Sequence, residues 1–195
     1  MKRYIIPVMF LIISISALFA GGEPEKSFSW SLSLQDMKTG DMIPFSAPVK
    51  SSTNEKYRLV IESGSDFFCY VIAEDPEGTE LTVLYAGSMK ARESWQSPVL
   101  EISPPDGTES LFVVASREEL QTLAQRIKAL DNTSESTQRA VMNEIFRIRS
   151  EVSQFREAPE KPVLMGGAAR GTPGKSQGVE FSGSGIYLKT ISIEH

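Results

Sequence analysis

The sequence predicts an α+β fold: mainly an antiparallel β-sheet or small β-sandwich of about eight strands, with a two-helix insertion before a C-terminal strand. Three observations predict it. Residues 67–73, 81–85 and 111–115 are short apolar segments rich in β-branched and aromatic side chains, each bounded by Pro, Gly or Asp, as buried strands are. At Ser116 the apolar period changes from two to between three and four, the period of a helix. After residue 185 it returns to strand-like alternation. With 195 residues, 41% apolar and 23% charged, the composition suits a single globular domain with a substantial core.

At the N-terminus, Lys2 and Arg3 precede an uncharged run over residues 4–19, followed by Ala20-Gly21-Gly22 and then charged residues from Glu23. A basic start, a short apolar run and small residues make residues 1–22 a secretory signal peptide, cleaved after Ala20 or Gly22. The competing reading is an uncleaved anchor. A bilayer span needs about 18 or more apolar residues, however, and this run is interrupted by Pro7, Ser14 and Ser16. Residues 23–195 then form one β-rich domain.

Phe28, Trp30, Leu32 and Leu34 alternate with serines, which predicts a strand with one face in the core and one in water. Met42 to Phe45 reads as a brief edge strand, because Pro44 cannot donate to a central ladder. Tyr57, Leu59 and Ile61 predict another half-exposed strand. In residues 67–73, Phe68, Tyr70 and Ile72 fall on one side and Phe67, Cys69, Val71 and Ala73 on the other, so both faces need cover. Asp75-Pro76-Glu77-Gly78 suits a type I turn and predicts a hairpin to residues 81–85. Residues 89–96 read as a solvated loop anchored by Trp95.

Ser116-Arg117-Glu118-Glu119 fits a capping box and predicts a helix carrying Leu120, Leu123, Ile127 and Leu130. After a polar break at residues 131–134, a second helix carries Val141, Ile145, Ile148, Val152 and Phe155 on one stripe. The helical insertion, about residues 117–157, is expected to cover one face of the sheet; the alternative is an exposed partner-binding stripe. Pro159 and Pro162 close it, Val163 to Met165 is a short apolar patch, residues 166–178 hold five glycines and read as a loop, and residues 185–193 as a final strand.

The order of these pieces is also familiar. Gly40-Asp41, Tyr70-Val71-Ile72, the acidic turn Asp75 to Gly78, Leu84-Tyr85, the Pro98-led segment to Ile102, Pro105-Asp106-Gly107-Thr108-Glu109 and the strand Leu111 to Ser116 together resemble the bacterial Domain of Unknown Function 4384 family, over roughly residues 40–123. The resemblance implies a β-rich module of an envelope or exported protein, in a family without an assigned activity.

The composition leaves little for catalysis. Cys69 is the only cysteine and sits within an apolar strand, so it reads as a buried small hydrophobe with no disulfide partner. His195, the only histidine, is the last residue and reads as a tail residue. Zinc sites and Cys/His or Ser/His/Asp arrangements therefore lack material. Ala169 to Ser176 ends in Gly-Lys-Ser like a P-loop, but Ala169 stands where the first Gly belongs, Pro173 removes an N–H, and no helix former follows; the segment reads as an ordinary loop. Asp75, Glu77, Glu80, Asp106 and Glu109 gather around two turns without the spacing of a calcium loop. Asn132-Thr133-Ser134 matches a glycosylation sequon and reads as the link between helices. The net charge of −5 becomes −7 once Lys2 and Arg3 are removed, which gives no electrostatic reason to bind nucleic acid.

The expectation is an exported periplasmic or extracellular protein, a non-enzymatic binding or assembly module without cofactor or metal. Its expected partner is another envelope protein, with no integral span after signal removal and the oligomeric state open. Trp95, Lys90 and Arg92 are the candidate contact residues. The alternatives are an envelope glycan hydrolase using paired Asp or Glu carboxylates and a regulatory domain acting on another chain.

Overall fold

A computed structural model describes residues 27–152, 161–164 and 177–195. The signal segment, Phe155, Pro159 and the P-loop-like residues 169–176 lie outside the described residues. Within them the chain forms two β-sheets and two helices stacked in three layers.

The first sheet runs in the order β10 (Lys161–Leu164), β11 (Gln177–Gly183), β1 (Phe28–Asp36), β4 (Lys56–Ser63), β7 (Ser94–Gln96). β2 (Met42–Ile43) adds to β1, and β8 (Leu100–Glu101) adds to β4. The second sheet runs β3 (Val49–Lys50), β12 (Ile186–Glu194), β9 (Thr108–Ser116), β5 (Phe67–Glu74), β6 (Leu81–Met89). Neighbours are antiparallel except β3, which runs parallel to β12. All three apolar segments that predict the fold are here, adjacent, as β5, β6 and β9.

The alternation within β5 decides the layering. Phe67, Cys69 and Val71 pack against Trp30, Leu32, Leu59 and Ile61 of the first sheet, forming the larger core. Tyr70 and Ile72 point the other way, with Phe112 and Val114, into a second core under α1 (Gln121–Lys128) and α2 (Glu135–Val152). That core takes Leu123, Val141, Ile145 and Ile148 from the helices, so the helix pair is sheet cover. Trp30 is the hub between the sheets, its ring centroid 4.4 Å from Phe181, 5.6 Å from Tyr187 and 5.9 Å from Phe67.

Gly64 and Gly78 are each required by geometry. Gly64 carries the chain from the first sheet to the second so close to β1 that an added Cβ would lie 2.2 Å from Ser29 Oγ. Gly78 closes the β5–β6 connection at φ +69°, its N–H donating to the Asp75 carbonyl at 3.1 Å, as the turn reading requires.

Several expectations change. The serine face of β1 is not in water: Ser33 is fully buried and Ser31 nearly so. β1 lies mid-sheet, with Ser31 paired to Glu180 on one side and Glu62 on the other, so longer neighbours shade a short side chain. Ser116 is not a helix cap. It is the last residue of β9, paired with Phe68 and Ile186, and α1 begins five residues later at Gln121. The supposed loop at residues 89–96 contains β7, which pairs with β4 at Val60 to Glu62. Among the described residues three strands, not one, follow the helices. Val163 and Leu164 of the apolar patch lie in β10, while Met165 and residues 166–176 lie outside the described residues; β11 begins at Gln177, held by β1 and β10 on its two sides.

Candidate functional site

β6 and β7 are outer strands of different sheets, joined by only four residues, so the free edges of both sheets come together at one rim. The link is pinned rather than loose. Arg92 N–H donates to the Ser63 carbonyl and Ser63 N–H to the Glu93 carbonyl, both at 2.8 Å. Arg92 itself takes φ +67°, a left-handed conformation that non-glycine residues seldom adopt. The Lys90 N–H donates to the Glu93 carboxylate at 2.6 Å. Asp66, at the start of β5, accepts from Ala91 N–H at 2.8 Å and Lys90 Nζ at 3.1 Å. The Ala91 bond first, and then Lys90, hold the Asp66 carboxyl below the usual range.

Trp95 pairs in register with Ile61, and its ring meets that of Tyr85 at 5.2 Å and 57°. Tyr85 donates its hydroxyl to the Ser88 carbonyl at 2.9 Å; burial first, then nearby Glu93, push its phenol above the ordinary range. Trp95 is therefore half-buried, a wedge between the sheets rather than an exposed ring, while Lys90 and Arg92 are exposed beside it. The three sequence-predicted contact residues share one rim. Tyr85, which sequence reading left unassigned, completes it. A tilted aromatic pair with two exposed cations on the adjoining link is suited to recognition through stacking and charge.

The Asp75 carboxylate is occupied by its own turn. Asp75 accepts from Thr79 N–H, Glu80 N–H and Thr79 Oγ1 at 2.7, 2.7 and 2.9 Å. Burial alone would raise its pKa, but the bonds from Glu80 and Thr79 outweigh it and the carboxyl stays low. Pro76 packs on Gly107, where an added Cβ would lie 2.7 Å away, so the two acidic turns touch.

His195 is not a free tail residue. Its backbone exchanges two 3.0 Å hydrogen bonds with Gly107, and its ring is fully shielded, with Nε2 3.8 Å from Glu109 Oε1 and, among the described residues, no hydrogen-bond partner for either ring nitrogen. Glu109 is raised by burial, which the neighbouring His195 opposes. Cys69 is enclosed, and burial pushes its thiol up to about 12, which keeps it inert.

A groove of about 420 Å³ lies between the β9–α1 connection and the Ser184-Gly185 bend, with Glu118 and Glu119 on its rim. These two are sequence neighbours, and Glu119 is engaged by Gln121 Nε2 at 2.8 Å. Among the described residues, no group of three or more His, Cys, Asp or Glu could hold a metal ion, and no helix is long and apolar enough to cross a membrane. No family model and no curated protein matches the chain.

Proposed function

We propose that this chain is an exported envelope or periplasmic module that binds another envelope protein through the rim of Tyr85, Lys90, Arg92 and Trp95 and catalyses no reaction. One observation carries the reading: the free edges of two sheets converge on a rigidly pinned link that presents two exposed cations beside an aromatic pair. Trp, Tyr and Arg are the residues that most often dominate interface energetics, and a pinned loop loses little conformational freedom on binding. The signal-like N-terminus supports export, and the motif order over residues 40–123 supports kinship with the Domain of Unknown Function 4384 modules.

Affinity capture tests the reading. Residues 23–195, which contain every described residue, are immobilised, exposed to a crosslinked envelope extract and analysed by mass spectrometry. A single enriched protein that is lost with Arg92→Glu is the expected result. Retention of glycan alone, or of nothing, sinks the proposal.

A further inference from the structure

The sheet edges of this protein are guarded unequally. β3, β2 and β8 are two residues long and β7 is three. Pro48 precedes β3 and Lys50 lies within it; β10 is four residues long and contains Lys161 and Pro162. Short length, proline, lysine and bulges are among the means by which natural sheets prevent edge-to-edge pairing. β6 lacks the first three. It is nine residues long, Leu-Thr-Val-Leu-Tyr-Ala-Gly-Ser-Met, without a charge or a proline, and among the described residues no strand pairs with its outer side.

Charges appear only where the strand stops. Glu77 and Glu80 precede it, and Lys90, Arg92 and Glu93 follow it, all exposed. An antiparallel copy of the same strand, centred near Tyr85, brings Glu80 of each copy opposite Lys90 of the other. A two-fold axis makes that match twice. Between the ends no like charges meet, since the strand carries none. β6 has one irregularity, the extra residue Leu84 between the partners of Val71 and Ile72, and pairing runs on either side of it.

We infer that β6 pairs antiparallel with β6 of a second copy, joining two five-stranded sheets into one across a two-fold axis. The inference rests on reading the rim as a contact surface, and it names the partner at its strand edge. Pairing places the rim of each copy beside the β5–β6 turn of the other, so that the two sets of Lys90, Arg92 and Trp95 lie at opposite ends of the paired strands.

The test is sedimentation velocity of the full chain, expressed from its own Met1, from about 1 μM to about 1 mM. A monomer–dimer equilibrium is expected. Ala86→Lys, at an exposed position of β6, should weaken it by about tenfold or more, because like charges then meet at the axis. Glu80→Lys should weaken it as well, by setting cations against cations. Circular dichroism melts confirm that each variant folds. Independently, Ala86→Cys should form a disulfide-linked dimer on mild oxidation, whereas Asn143→Cys on exposed α2 should not. A monomer across the whole range, or a dimer indifferent to Ala86→Lys, overturns the pairing. A monomer that still captures an envelope protein overturns the pairing and leaves the binding reading standing; a monomer that captures nothing removes both.

Discussion

Tyr70 shows how one hydroxyl links two layers. Its ring is buried under the helices, and its oxygen accepts the Leu120 N–H at 3.1 Å where the chain turns into α1, a position with no side-chain cap of its own. Tyr70→Phe should therefore cost about 1 kcal/mol in urea unfolding with little change in slope, the value of one such bond. Glu74 and Asp75 are adjacent and respond to pH in opposite senses. Burial first, then Asp75, raise the Glu74 carboxyl, with Arg149 opposing. A raised carboxyl contributes stability that is present below the unfolded pKa and lost as pH rises through the native one. Glu74→Gln should match the wild type at low pH and melt above it once pH passes that raised value. Asp75 is lowered, so its contribution is present above the unfolded pKa and lost as pH falls through the native one. Asp75→Asn should melt below the wild type near neutrality and converge with it in acid.

The helix pair stands or falls with Glu144. This carboxylate is buried on α2, with Arg147 Nε and Nη2 donating to Oε1 at 3.1 and 2.6 Å and Arg126 of α1 3.7 Å from Oε2. Arg126 also donates to the Ala140 carbonyl at 2.8 Å, so it ties the two helices together. Arg147→Ala should destabilise by about 1–2 kcal/mol, discounted because Arg147 is half exposed and water partly replaces it. Arg139→Ala, which breaks only an exposed pair with Glu135, should cost no more than about 0.5 kcal/mol in the same assay. Legibility at this scale depended on where the deciding contacts lie. The two-faced alternation of residues 67–73 and the stripe from Val141 to Ile148 are local, and both the core strand and its helical cover could be read from them. Ser116 obeys the local rule for a cap, but β5 and β12 claim it from either side, and pairing outweighs propensity. β7 has three residues and β11 only two large apolar ones, so neither carries a period to detect; β4 and β1 hold them in place. The rim was half legible. Trp95, Lys90 and Arg92 stood out by residue type, while Tyr85 and the free edge of β6 depend on which strand ends the sheet.

At the scale of the whole molecule, the aromatic hub around Trp30 holds the two sheets together. Trp30→Ala should cost about 3–5 kcal/mol, a large part of the stability of an ordinary domain, and the loss should appear in thermal melts. Trp95→Ala, at a half-buried rim position, should cost clearly less. In the native protein, iodide should quench Trp95 emission and leave Trp30 untouched. The pairings also join distant parts of the chain: Phe28 faces Gly183, Val49 faces Ile193, and β9 finds its full-length partner only in β12. Deleting residues 177–195 should therefore leave no folded protein, with circular dichroism showing loss of the β signal. A chain emerging from a ribosome or a secretion channel with its N-terminus first would have neither sheet complete until its final twenty or so residues were free. Such an order of closure postpones the locking of both sheets until β11 and β12 have emerged.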